Sequence, residues 1–238
     1  TVRNTNDGTD AETLNALTYD KKDSTGTADA LTLDITNRDV NENFTLSTVT
    51  AAGIETLTLN TTGGTDGDIA ITTLTATSAE TINITGDADL TIGNATATTV
   101  ETISAGTSTG DLTLTFGASN VNATGGSGAD TFNYALTFDE NDVIDGGEGT
   151  DVVTVGGIND GTVLDLDLNI SNVERFTFAE DETSDSNITF DFNGDVMNRL
   201  TIGGDHTADS TLAFEDLGAG NIDIYYDGET GAADGDTT

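Results

Sequence analysis

Repetition of one short phrase is the feature that most limits what this chain can fold into. The phrase is an apolar residue, Glu, Thr and a second apolar residue, and it begins at Ile54, Ala79 and Val100, at spacings of 25 and 21 residues. A later, partial copy of the phrase begins at Val173. Repetition at a nearly fixed period is typical of architectures in which one small unit stacks on the next.

Each of the first three phrases is followed by a turn and a second alternating run, which starts at Asp68, Asp89 or Asp111. Alternation of Leu, Ile or Val with Thr or Asn predicts strands with one apolar and one polar face. Because such small units cannot bury their apolar face alone, we predict an all-β, stacked-strand β-solenoid of the parallel β-helix or β-roll kind, with calcium-binding Gly-Asp turns. A β-sandwich is the alternative, since it also has short alternating strands separated by turns.

The repeats divide the chain into three parts. We predict an N-terminal β-rich segment over residues 1–50, a repeat region over 51–160 and a C-terminal β segment over 161–238. The first part contains strand-like runs and one stretch compatible with a short helix capped by its first residue. The two strand-like runs are Ala30–Ile35 and Phe44–Val49, and the helical stretch is Asp10–Leu17.

The charge of the chain restricts its partners. Six Lys and Arg against 43 Asp and Glu give a formal net charge of −37 over 238 residues, which excludes nucleic acid as a partner. Such a chain repels itself when it becomes compact, and without Cys it has no disulfide to hold it together. Bound cations are therefore expected to stabilise it, and calcium is the common extracellular choice.

Targeting features are missing from the sequence. No run approaches the roughly 18 apolar residues of a membrane span, and the start has no signal-peptide pattern. The chain lacks an initiator Met, so we expect it to be a processed or excised piece of a longer protein.

Two copies of a glycine-rich nonapeptide predict where calcium binds. Gly125–Asn133 fits the pattern G-G-x-G-x-D-x-U-x, and Gly146–Thr154 repeats it 21 residues later. Glycines permit a tight turn that directs carbonyl oxygens toward an ion, and the sixth-position Asp adds a carboxylate. The predicted ligands are the carboxylates of Asp130 and Asp151 and the carbonyls of Gly126, Gly128, Gly147 and Gly149, with Asp142 and Asp145 as further candidates. The alternative interpretation is a pair of ordinary Gly-rich turns in which Asp only caps the backbone.

The nonapeptides give the chain a resemblance to a known family. Residues 125–154 resemble the repeats-in-toxin (RTX) calcium-binding exported proteins, and the Glu-Thr strands beside them are similar to those of bacterial calcium-dependent surface-layer (S-layer) proteins. The resemblance implies secretion, folding on external calcium and lateral assembly on the cell surface. Gly64–Asp68 and Gly203–Asp205 look like decayed turns of the same type.

The residue inventory argues against an enzyme. His206 is the single histidine, Cys is absent and the six basic residues are scattered. We therefore expect a secreted, extracellular structural protein that binds calcium and self-associates in a lattice. An RTX-type adhesin segment that binds a surface glycan or a neighbouring cell, and a calcium-folding accessory domain of a secreted enzyme, remain alternatives.

Overall fold

The computed structural model shows a chain built from strands. It describes residues 1–4, 11–20, 28–38, 42–63, 68–96, 99–117, 120–134, 138–156, 163–179, 187–195, 197–203 and 211–227. These residues form 23 strands and no helix. In chain order the strands are β1 (Val2–Asn4), β2 (Glu12–Leu14), β3 (Leu17–Asp20), β4 (Ala30–Asn37), β5 (Phe44–Ala52), β6 (Thr56–Thr62), β7 (Ile69–Thr75), β8 (Thr81–Gly86), β9 (Leu90–Ile92), β10 (Ala95–Thr96), β11 (Thr102–Ser108), β12 (Leu112–Phe116), β13 (Asn122–Thr124), β14 (Thr131–Tyr134), β15 (Val143–Asp145), β16 (Val152–Val155), β17 (Val163–Asp167), β18 (Asn169–Ser171), β19 (Arg175–Ala179), β20 (Asn187–Asp191), β21 (Arg199–Gly203), β22 (Thr211–Glu215) and β23 (Asp223–Asp227).

The strands pair in parallel and form three sheets. Sheet 1 has the order β1-β4-β6-β8-β11-β13-β15-β18, and sheet 2 has the order β2-β5-β7-β9-β12-β14-β16-β19-β21-β23. Strand β3 pairs with β5, β10 pairs with β7, and sheet 3 has the order β17-β20-β22. Except for β2–β3 and β9–β10, successive strands of the chain lie in different sheets, while neighbours within a sheet come from successive units. This is the predicted β-solenoid, and the parallel pairing rules out the antiparallel β-sandwich.

The repeated phrases lie directly on top of one another. In sheet 1, Thr81 of β8 is opposite both Thr56 of β6 and Thr102 of β11. In sheet 2, Leu90 pairs with Ile69 and with Leu112. Equivalent positions of the sequence repeat are therefore equivalent positions of the stack. The partial copy that begins at Val173 has a different place in the fold, because its strand β19 belongs to sheet 2 and not to sheet 1.

The interior is a continuous column of apolar side chains. Along β6, Leu57 and Leu59 are fully buried, whereas the intervening Thr side chains are partly exposed. The C-terminal part of the column is aromatic. Phe176 and Phe190 are buried there, with ring centroids 5.2 Å apart.

The N-terminal part corrects one prediction. The strands predicted at Ala30–Ile35 and Phe44–Val49 are confirmed as β4 and β5. The short helix predicted over Asp10–Leu17 is wrong, because β2 and the first residue of β3 occupy its described part and both strands pair with β5. A helix of that length is marginal without tertiary support, while the existing strand offers backbone partners and a face for Leu14.

Among the described residues, no helix is long and apolar enough to cross a membrane.

Candidate metal site at the stacked glycine turns

The turns that lead from sheet 1 to sheet 2 stack along one edge of the solenoid. We call four of them the turn column: residues 109–111, 125–130, 146–151 and 172–174, each between a sheet-1 and a sheet-2 strand. Backbone hydrogen bonds join the layers. Ser127 N–H donates to the Ser108 carbonyl at 3.0 Å, and Glu148 N–H donates to the Gly126 carbonyl at 2.9 Å. The structure therefore brings the two predicted calcium turns together as neighbouring layers.

Glycine is required in these turns because the layers approach closely. A Cβ at Gly126 would overlap the Ser108 carbonyl, and one at Gly147 would overlap the Gly126 carbonyl. Gly147 and Gly149 also have φ values of 98° and 128°, which other L-residues rarely adopt. The nonapeptide glycines thus let the backbones of successive layers approach closely.

Asp130 is buried in the first glycine turn, and both of its carboxylate oxygens are used by the backbone. Oδ1 accepts the N–H of Leu112 at 2.9 Å, and Oδ2 accepts the N–H of Gly126 at 2.6 Å. Burial raises the pKa of Asp130 above its ordinary value, while these two N–H groups act in the opposite direction. The carboxylate holds its own turn and ties it to the layer before it.

Asp151 is the equivalent residue of the second glycine turn, but only one of its oxygens is used. Oδ1 accepts the N–H of Asp130 at 2.7 Å, whereas Oδ2 is buried without a hydrogen-bond partner. The reason lies in the backbone. Gly147 N–H, the counterpart of the Gly126 donor, points instead to Asp145 Oδ1 at 3.2 Å. The second turn therefore leaves a buried carboxylate oxygen in need of a positive partner.

Electrostatics at Asp151 point the same way. Its pKa is raised to about 6, chiefly by burial and also by the negative charges of Asp130, Glu174 and Asp111, against the lowering effect of the Asp130 N–H. A cation beside Oδ2 would offset both the energetic cost of burying the charge and the repulsion from the neighbouring carboxylates.

The two further candidates lie at opposite ends of β15. Asp145 ends the strand on the side of the turn column, where its Oδ1 accepts the Nδ2–H of Asn172 at 2.7 Å. Asp142 precedes the strand and caps a different loop, with Oδ1 on Val121 N–H at 2.9 Å and Oδ2 on Asp139 N–H at 3.0 Å. The structure does not bring Asp142 together with Asp130 and Asp151.

Three further acidic residues, which lie outside both nonapeptides, are also found along this edge. Asp89 Oδ1 accepts the N–H of Asp111 at 2.7 Å, and Asp111 Oδ1 accepts the N–H of Ala129 at 2.6 Å. At the other end, Glu174 Oε2 accepts the N–H of Asp151 at 2.8 Å. The signal that marks them is a carboxylate directly before a sheet-2 strand, which recurs at Asp68, Asp89, Asp111, Asp130, Asp151 and Glu174.

The chemistry of these donors fits a calcium ion better than a metal that needs several side chains. Within the residues that the structure describes, no group of three or more His, Asp or Glu side chains is arranged as a metal site. An ion here would combine one or two carboxylates with backbone carbonyls, a ligand set that calcium accepts. When bound, it would neutralise charge and join successive layers.

Some predicted turns lie outside the described residues. They are Gly64–Gly67 of the first decayed turn and Gly204 and Asp205 of the second, and His206 lies there too.

Comparison with known protein families, with characterised proteins and with solved structures finds no match for this chain.

Proposed function

We propose that this chain is a calcium-dependent structural domain of a secreted, cell-surface protein that assembles into a surface layer. It carries no catalytic role in this proposal. The observation on which the proposal depends is the unpartnered, buried Oδ2 of Asp151 among stacked glycine turns. A fixed cation at this position explains why a buried carboxylate is tolerated in a chain of net charge −37.

Calcium dependence accounts for the proposed extracellular location of the chain as well as for its stability. Extracellular calcium modules bind with Kd values on the order of 10⁻⁴ to 10⁻³ M, so they are empty at cytosolic calcium levels and filled outside the cell. A chain that folds on filling these sites is exported unfolded and folds at the surface. The absence of Cys is consistent with a metal rather than disulfides holding it together.

The solenoid supports a structural role because its long, regular faces repeat. Thr56, Thr81 and Thr102 form one outward row on sheet 1, aligned by the strand register. A face that repeats at the strand spacing of roughly 4.8 Å offers extended contacts to a second copy.

The test is to add calcium to chain held in excess chelator. We expect the far-UV circular dichroism signal of β-structure to appear or sharpen at about millimolar calcium, followed by an increase in light scattering and ordered sheets in electron micrographs. Magnesium at the same concentration is the control for ionic strength. A full β signal and unchanged melting temperature in chelator and in calcium would contradict the proposal.

The assembly step separates the surface-layer role from the adhesin alternative. Calcium-dependent folding into a chain that stays monomeric and binds a surface glycan would favour an adhesin segment, and a monomer without glycan affinity would favour an accessory domain.

A further inference from the structure

The second glycine turn is followed in the turn column by a turn that lacks the nonapeptide. Asp145 pairs with Ser171, and Val152 pairs with Arg175. Six residues therefore join the strands in the layer 146–151, but only three, Asn172 to Glu174, join them in the next. Glu174 comes directly before the strand, in the same place as Asp151.

The short turn places a backbone carbonyl oxygen beside the second glycine turn. A Cβ at Gly146 would overlap the carbonyl oxygen of Asn172 and would lie 2.6 Å from Asp151 Oδ2. These two oxygens therefore lie close together, on the side of Gly146 where a side chain would be. Asp151 is only 1% exposed, and its Oδ2 is buried without a hydrogen-bond partner.

The backbone of Asn172 is held in position for this arrangement. Its φ of 52° is in the left-handed region, which Asn tolerates better than most residues. Its Nδ2–H donates to Asp145 Oδ1 at 2.7 Å, and Gly146 N–H donates to the Ser171 carbonyl at 2.9 Å. These two hydrogen bonds hold the backbone at Asn172 against the end of β15 and Gly146.

We propose that a calcium ion binds between the layers 146–151 and 172–174, with Asp151 Oδ2, the Asn172 carbonyl and the Glu174 carboxylate as ligands. The proposal rests on the calcium dependence proposed above and gives that ion a position that the nonapeptide pattern does not predict. The pattern places the ion between the two glycine turns, where both oxygens of Asp130 already accept backbone N–H groups. The short turn completes the site with residues outside either nonapeptide.

The test is Glu174→Gln in the whole chain, with calcium binding measured by titration calorimetry and folding followed by circular dichroism. Gln keeps an oxygen that can accept the Asp151 N–H, so the turn retains its hydrogen bond. We expect the calcium midpoint to rise roughly ten-fold or more and the number of bound ions to fall, because ligand charge sets calcium affinity. Glu148→Gln, which removes an exposed charge from the neighbouring layer, is the matched control and should leave both values unchanged.

Asp151→Asn is the second variant and should lose the same ion, since it removes the unpartnered oxygen. Wild-type calcium affinity in Glu174→Gln together with loss in Asp151→Asn would overturn this position of the ion and leave the calcium-dependent function standing. Absence of calcium binding to the wild-type chain at millimolar concentration would overturn both. If Glu174→Gln fails to fold in saturating calcium, wild-type affinity in Asp151→Asn overturns the proposed site, and loss of the ion supports it.

Discussion

Asp130 and Asp151 occupy equivalent positions of two stacked turns and differ in what their second oxygen contacts. In Asp130 that oxygen accepts the Gly126 N–H, and in Asp151 it has no partner. A single change in the direction of one glycine N–H thus separates a carboxylate with a structural role from one suited to binding an ion.

Because of this difference, we expect two substitutions to have different effects on the free energy of unfolding when calcium is removed. Asp130→Asn leaves one acceptor for two backbone donors, so it should cost about 1–3 kcal/mol in excess chelator. Asp151→Asn keeps the acceptor for the Asp130 N–H and removes a buried charge, so it should be neutral or stabilising there. Urea denaturation measures both, in calcium and in chelator with enough of an osmolyte such as TMAO to keep the calcium-free chain folded. Equal destabilisation of the two variants in chelator would contradict the assignment of roles.

The raised pKa of Asp151 gives a prediction for pH. Because its pKa is raised to about 6 in the folded chain from the ordinary 3.8, the folded state binds more protons than the unfolded state between these values. The calcium-free chain should therefore become more stable as the pH falls from 7 toward 5, the reverse of ordinary acid denaturation.

Melting temperatures in chelator across this pH range, with the same osmolyte to keep the calcium-free chain folded, measure the effect. Asp130 and Asp142 also have pKa values raised by burial and act in the same direction, so Asp151→Asn should reduce the slope rather than abolish it. An unchanged slope in Asp151→Asn would show that this carboxyl does not titrate in the window.

At the scale of strands and turns, the close approach of successive layers decides which substitutions the solenoid tolerates. Gly86 ends β8 with a φ of 116°, and a Cβ there would overlap the backbone of Thr61 in the layer below. Gly106 lies within β11, and a Cβ there would have no atom within 4 Å.

We therefore expect Gly86→Ala to cost about 3 kcal/mol or more, through overlap and backbone strain. Gly106→Ala is the matched control and should change the free energy of unfolding by about 1 kcal/mol or less, since it adds no contact and restricts the unfolded chain. Denaturation in saturating calcium measures the pair. Similar costs for the two substitutions would mean that the layers can separate to admit a methyl group.

The strands of the repeat region could be predicted because local pattern and stacking agree there. The Glu-Thr phrase predicts the alignment of Thr56, Thr81 and Thr102, since equivalent residues of a repeat stack in register. Near residue 12 the local pattern suited a helix, but pairing with β5 satisfies the backbone of Glu12–Leu14. That pairing depends on a strand more than 25 residues away, which local sequence does not reveal.

The candidate site could be predicted only in part. The nonapeptides located Asp130 and Asp151 because their glycines and carboxylates follow a known spacing. The nonapeptide pattern does not predict Glu174, because its turn is three residues shorter and has no glycine. Only the stacking of the layers places it beside Asp151. The separation of Asp142 from the site follows from its position before β15, which the loop sequence does not specify.

At the scale of the whole molecule, a narrow core and a net charge of −37 act against each other. The buried column contributes the apolar free energy of folding, while the carboxylates along the turn column repel one another. One ion present at 100 times its Kd and bound only to the folded state would contribute roughly 2.7 kcal/mol, a large part of a domain's usual stability. A few such ions therefore suffice to make folding depend on calcium.

Hydrogen–deuterium exchange with and without calcium, in enough of an osmolyte such as TMAO to keep the calcium-free chain folded, tests most directly whether the turn column holds the ion. We predict that calcium slows exchange most in residues 125–130, 146–151 and 171–175, with smaller effects in the strands of sheet 3. Exchange that is the same in these turns with and without saturating calcium would contradict a cation-stabilised edge.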